Sequence, residues 1–162
     1  MKKIWIALIP VMLTFVFFAC SDKCETFTVE PFEATVEAES GDAVMTGKLR
    51  YASPSAVSLT IIKPENIKNL TFATQDGSDY IVIGSMKSAS VPNSTFPTEK
   101  NVFENLFKAM QALQNGLTAK KGGTEKINCD YAYGKCMITV NTDTNRIECI
   151  DAGRFKYKFH YE

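Results

Sequence analysis

Strand-like alternation of apolar and polar residues dominates the first half of the chain beyond residue 31. A period of two gives a β-strand with one apolar face and one solvated face. Asp76-Gly77 is a strong hairpin-turn dipeptide between two of these segments. The predicted strands are Phe32–Ala38, Met45–Tyr51, Val57–Ile61, Ile67–Phe72 and Tyr80–Ile83.

Helical spacing replaces the alternation after a Ser- and Pro-rich connection that ends at Pro97. Thr98 is a suitable N-cap, and Glu99 in the first turn complements the helix dipole. Asn115-Gly116 is a helix stop signal. The helix should bury one wide apolar stripe against the sheet. The stripe contains Val102, Phe103, Leu106, Phe107, Met110 and Leu113.

Strand patterning returns from Glu125 to the end of the chain. Ile127, Cys129, Tyr131 and Tyr133 should share one face, and further strands are expected at 137–140 and 146–150. The last strand alternates most regularly, and its two faces should differ sharply in polarity. Phe155, Tyr157, Phe159 and Tyr161 face one way, and Arg154, Lys156, Lys158 and His160 face the other.

Together these patterns predict an α+β domain of about eight to ten strands with one amphipathic helix. Short turns between consecutive strands favour antiparallel pairing, and a sheet of this size tends to curl. We therefore expect an incompletely closed antiparallel β-barrel, a half-barrel, with the helix against its concave face. Candidate residues for lining a cavity there are Leu49, Tyr51, Leu59, Ile61, Phe72, Phe103, Phe107, Met110, Phe155, Tyr157 and Phe159.

The N-terminal segment has the layout of a bacterial lipoprotein signal peptide. Lys2 and Lys3 precede an uncharged stretch of 16 residues, which is short for a membrane-spanning helix, and Cys20 follows it directly. We predict a signal peptide at 1–19, acylation of Cys20 (with palmitate, for example), a tether at 20–30 and one domain at 31–162. Cleavage without acylation and an uncleaved anchor are the alternatives.

This interpretation places the protein outside the cytoplasm, anchored by lipid to the cell membrane, or to the outer membrane if the cell has one. Two or three acyl chains anchor a protein firmly, because each buried methylene contributes ~0.8 kcal/mol. The expected partners are therefore the membrane itself and an acyl chain, a lipoprotein or an envelope protein.

Charge and composition give little support to catalysis or nucleic-acid binding. The leader holds two of 18 basic residues, which leaves 16 against 18 acidic residues, a formal charge of −2. His160 is the single histidine, and it lies on the polar face of the last predicted strand. Glu33, Glu37 and Glu39 line up as a solvated face. We expect no enzyme activity, no cofactor, no metal site and no nucleic-acid partner.

Four cysteines remain when Cys20 is assigned to lipid. Export permits disulfides, and four cysteines allow three connectivities that sequence cannot distinguish. Cys129 and Cys136 flank a turn at Tyr133-Gly134 and could lie on neighbouring strands, which makes them the candidate pair. Buried free thiols are the main alternative. Zinc is a weaker one, because no Cys-x-x-Cys pair is present.

The early strands contain a series of short motifs, at Gly47–Pro54, Val57–Ile61, Lys63-Pro64, Ile67, Leu70 and Asp76-Gly77. These motifs resemble those of the lipoprotein-carrier (LolA/LolB) family, the bacterial periplasmic lipoprotein chaperone and its outer-membrane receptor. They also resemble those of small lipoproteins from clostridia-like bacteria. The resemblance covers Phe32–Gly84, with the later helix and strands matching only in order. It implies an unclosed antiparallel barrel with a helical lid and a concave face that holds acyl chains.

Two functions follow as expectations. The first is non-catalytic binding of a hydrophobic ligand, an acyl chain or a lipoprotein, on the concave face, suggested by the 11 Phe and 6 Tyr residues. The second is a lipid-tethered protein–protein interaction module, in which the same aromatic residues simply fill the core.

Overall fold

The first half of the domain consists of strands, as the alternation predicts. The computed structural model describes residues 24–87, 102–113, 117–120 and 122–162. A 3₁₀ turn at Glu65–Ile67 delays the fifth strand to Leu70, three residues later than predicted. The strands are β1 (Cys24–Phe27), β2 (Phe32–Ser40), β3 (Ala43–Ser53), β4 (Ala56–Lys63), β5 (Leu70–Gln75), β6 (Ser78–Ile83) and β7 (Met86–Lys87).

One α-helix precedes five further strands in the described part of the chain. Helix α1 spans Val102–Ala112 and buries the predicted stripe. The predicted N-cap at Thr98 and stop signal at Asn115-Gly116 lie outside the described residues, as do the leader and Cys20. The later strands are β8 (Leu117–Lys120), β9 (Thr124–Tyr131), β10 (Gly134–Asn141), β11 (Arg146–Ala152) and β12 (Phe155–His160).

Ten strands form one open antiparallel sheet in the order β7-β6-β5-β4-β3-β2-β12-β11-β10-β9. The sheet is not closed into a barrel, since β7 and β9 lie at opposite ends of the order. The last strand of the chain pairs with β2, so that Phe159 lies opposite Val36 and Tyr157 opposite Ala38. This pairing joins the two halves of the chain into a single sheet, and one continuous hydrophobic core spans both halves.

A second, two-stranded sheet uses part of the segment that was predicted to be a tether. Strand β1 pairs antiparallel with β8, and Phe27 lies opposite Leu117. Both of these side chains are buried in the main core. Residues 24–27 are therefore part of the folded domain. Burial of the Phe27 side chain stabilises this arrangement, whereas a tether would leave the side chain in solvent.

The hairpin at Asp76-Gly77 confirms the turn prediction. Both residues have positive φ, 52° and 78°, as the tight turn favoured by an Asp-Gly dipeptide requires. It joins β5 to β6 with Gln75 opposite Ser78. The twelve described strands exceed the eight to ten predicted, because β1, β7 and β8 are too short to show a pattern.

Candidate functional site

Helix α1 packs on one side of the main sheet, which we call the inner side. Leu106 and Met110 are fully buried, and Phe103 and Phe107 are nearly so. The ring of Phe103 stacks on Phe72 of β5, with centroids 4.0 Å apart. The helix also contacts β9, β11 and β12, so strands from both halves of the sheet reach it.

Three tyrosine hydroxyls hold the first turns of α1 in place. Tyr157 donates to the carbonyl oxygen of Val102 at 2.6 Å. Tyr131 donates to Asn105 Oδ1 at 3.1 Å, and Tyr133 donates to the carboxylate of Glu104. Each hydroxyl therefore fixes the helix to a strand or turn of the second half of the sheet.

The environment of these tyrosines keeps them protonated. Burial raises the pKa of Tyr157 and of Tyr131 above the usual value. Burial, together with the neighbouring Glu104 carboxylate, raises the pKa of Tyr133 as well. All three therefore remain hydrogen-bond donors across the physiological range, and the docking of α1 should not respond to pH near neutrality.

The predicted cavity residues come together in this region, and all but one are buried. Ten of them have 0–8% of their surface exposed, and Phe72 is half-buried. Three depressions among the described residues include two of the candidates in their linings, Phe155 and Phe159. The candidates therefore lie within or against the hydrophobic core that the sheet shares with α1, and Phe72 and Phe103 stack directly.

The largest of these depressions lies beside the start of α1 and has a volume of about 550 Å³. Its lining includes Asn105, Tyr131, Tyr133, Arg154 and Phe155. It is shallow and open to solvent. Asn105 is 3% exposed, and sequence reasoning missed it. The available signal was an amide placed inside an otherwise apolar helical stripe.

The inner side of the sheet continues beyond α1 as an apolar strip that is only partly covered. In an antiparallel sheet, opposed residues lie on the same side, as do residues two apart. Phe72 lies opposite Ile81, Leu70 opposite Ile83, and Ile83 opposite Met86. These five residues, which we call the apolar strip, share the side of Phe72 that faces α1.

Exposure rises steadily along the apolar strip. Leu70, Phe72 and Ile81 are half-buried, whereas Ile83 is 57% and Met86 71% exposed. An exposed run of large apolar side chains next to a buried core is typical of a binding surface. Sequence analysis missed this feature because strand β7 is only two residues long.

The opposite, outer side of the sheet carries the charged residues of β2, β3 and β12. Glu33 accepts from Lys48 at 3.4 Å and Arg50 at 3.3 Å, and Lys158 Nζ lies 2.5 Å from Glu39 Oε1. The hydrogen bond with Lys158 lowers the pKa of Glu39 and raises that of Lys158.

His160 is on the same outer side, with Nε2 3.8 Å from Glu37 Oε2 and 61% of its side chain exposed. Exposed pairs of this kind contribute little to stability. Across the described ranges, no group of three or more His, Cys, Asp or Glu residues is placed to hold a metal ion.

Comparisons with known proteins leave the family of this chain open. No family model matches the sequence, and no curated protein matches it. An uncharacterised conserved protein from Thermus thermophilus has a solved structure with a TM-score of 0.40 and 7% identity. The similarity covers 80% of this chain and 76% of that one, and it is too low to carry an argument.

No helix within the described ranges has the length and apolar character needed to cross a membrane.

Proposed function

We propose that this protein is a lipid-anchored, non-catalytic extracytoplasmic protein that binds acyl chains on the inner side of a half-barrel. The apolar strip is the observation that carries this proposal. It starts under α1 at Phe72 and runs outward to Ile83 and Met86, where more than half of each side chain is exposed. An acyl chain laid along the strip would cover these two side chains and extend the apolar core.

Contacts of α1 with distant strands support the half-barrel. Strands β5 and β9 are seven places apart in the sheet order, which corresponds to about 33 Å in a flat sheet. Phe103 and Asn105, two residues apart on α1, nevertheless contact Phe72 of β5 and Tyr131 of β9. A helix is only about 10–12 Å across. These contacts support a sheet that curves around α1, with the helix on the concave face.

The proposed location beside a membrane indicates which class of ligand the protein binds. Acylation of Cys20 would hold the domain beside a bilayer, where acyl chains are the most abundant apolar molecules. The resemblance of the early strands to the lipoprotein-carrier family points to the same ligand class. In this proposal α1 acts as the lid, and the buried candidate residues become available only where the helix moves aside.

A second candidate function is a lipid-tethered module that binds another protein. The burial of ten predicted cavity residues favours it, because these aromatic and aliphatic side chains can serve to fill the core. In that case the apolar strip would contact a protein rather than an acyl chain. The two functions can be distinguished by whether the protein, once extracted from the membrane, has an acyl chain bound to it.

Native mass spectrometry of the lipidated protein, extracted in mild detergent, tests the proposal. The expected result is a bound species of acyl-chain or lipopeptide mass that is lost on denaturation, in addition to the covalent anchor. A protein that carries only its covalent anchor, and takes up neither palmitate nor a diacylated lipopeptide, would favour the interaction module.

A further inference from the structure

Two cysteines face each other at the edge of the main sheet. Cys129 of β9 and Cys136 of β10 are direct partners in the antiparallel register. Such partners have Cα atoms about 4.5–5.5 Å apart, within the range of about 4.4–6.8 Å that a disulfide requires. Both are free thiols in this structure, and the Cys129 thiol donates to the carbonyl oxygen of Ile127 at 3.9 Å.

The two thiols differ in accessibility. Cys136 is 3% exposed and belongs to the buried core, whereas Cys129 is half-buried. The neighbouring Cys136 side chain lowers the pKa of Cys129, whereas the neighbouring Cys129 side chain and burial raise the pKa of Cys136. A thiolate is the attacking species in disulfide exchange, so Cys129 is suited to react first.

We propose that Cys129 and Cys136 form a dithiol that is oxidised to a cross-strand disulfide by exchange with a disulfide donor. The Cys129 thiolate attacks one donor sulfur, the donor S–S bond breaks, and the second donor sulfur leaves as a thiolate. Cys136 then gives up its proton and attacks Cys129 Sγ, which releases the first donor sulfur. Two cysteine thiols are oxidised, and the donor disulfide is reduced to two thiols that take up the two protons.

The bond would fasten an edge strand that also holds the helix. Strand β9 ends the sheet order and pairs within the main sheet only with β10. Two residues after Cys129, Tyr131 donates its hydrogen bond to Asn105 of α1. Oxidation should therefore stabilise the edge of the sheet and the contact between β9 and α1.

Cys149 provides an internal control. It lies on β11 opposite Thr139 and Lys158, on the outer side of the sheet, and no cysteine opposes it. Burial raises its pKa, so it is the poorer nucleophile. Under the same conditions Cys149 should remain a free thiol.

Peptide mapping tests this inference directly, because trypsin should place the three cysteines in separate peptides, 127–135, 136–146 and 147–154. The reduced full chain is incubated with glutathione disulfide, alkylated and digested. The expected product is peptide 127–135 linked to 136–146, with 147–154 alkylated. Oxidation should also raise the melting temperature by several degrees, reversibly on addition of dithiothreitol.

Serine variants test the order of attack. Cys136→Ser should accumulate a glutathione adduct on Cys129, whereas Cys129→Ser should leave Cys136 alkylatable only on unfolding. Cys149→Ser should give the linked peptide unchanged. The proposal is overturned if both thiols stay reduced in the folded chain, or if the main linkage joins either one to peptide 147–154 or to peptide 24–48. An adduct that forms first on Cys136 would also overturn it.

Discussion

Replacing the exposed end of the apolar strip should weaken acyl-chain binding without unfolding the protein. The double variant Ile83→Ser with Met86→Ser removes two side chains that are 57% and 71% exposed. Full burial of an Ile or Met side chain contributes about 1.5–3 kcal/mol. Because more than half of each side chain is still exposed before binding, a covering ligand gains about 1–1.5 kcal/mol from each.

The double variant should therefore lose about 2–3 kcal/mol of binding free energy, which corresponds to a roughly 30- to 150-fold rise in Kd. Titration with a fluorescent fatty acid measures this change. Stability should alter little, since neither side chain belongs to the core.

Val44→Ser is the matched control. Val44 is 54% exposed, but it lies opposite Glu39 on the charged, outer side of the sheet. The substitution removes apolar surface from the outer side of the sheet, opposite the apolar strip, and Kd should stay within about twofold. Equal losses in the control and the double variant would show non-specific hydrophobic binding. Unchanged binding in a folded double variant would refute the role of the strip.

Three further predictions concern the fold and the anchor. Gly47→Ala should lower the free energy of unfolding by about 1–3 kcal/mol, measured by urea unfolding. The new Cβ would lie 2.8 Å from Leu59 Cδ1 and 2.9 Å from the carbonyl oxygen of Thr60, which is too close. An unchanged urea midpoint would mean that strand β4 moves away at no cost in stability. Burial raises the pKa of Tyr161 to about 12, above its unfolded value near 10. Its contribution, about 1–2 kcal/mol, should be complete below pH ~10 and be lost as pH rises toward 12, and Tyr161→Phe should remove that part of the alkaline slope. Cys20→Ser should abolish incorporation of labelled palmitate in the producing cell, and retained label would place the acylation elsewhere.

Much of the strand structure could be predicted because the apolar alternation matches burial. Strand β12 is the clearest case, with Phe155, Tyr157 and Phe159 buried and Lys156 and His160 exposed. The stripe on α1 was equally informative, since helical spacing and one-sided burial have the same physical origin.

The long-range arrangement could not be predicted in the same way. Local patterns do not encode that β2 pairs with β12, or that β1 joins β8, because these pairings depend on which distant apolar faces meet. The apolar strip also escaped prediction, since the two residues of β7 are too few to show a period. The placement of Cys129 and Cys136 on neighbouring strands was anticipated from the short turn between them, whereas their direct opposition is a finding of the structure.

Photo-crosslinking with a diazirine-bearing palmitic acid shows whether an acyl chain lies along the apolar strip. Trypsin should release the whole apolar strip in one peptide, residues 69–87. We expect labelling of this peptide at Ile81, Ile83 or Met86, with loss of label when unmodified palmitate competes. Labelling confined to the outer side around Val44, or labelling that palmitate does not displace, would contradict it.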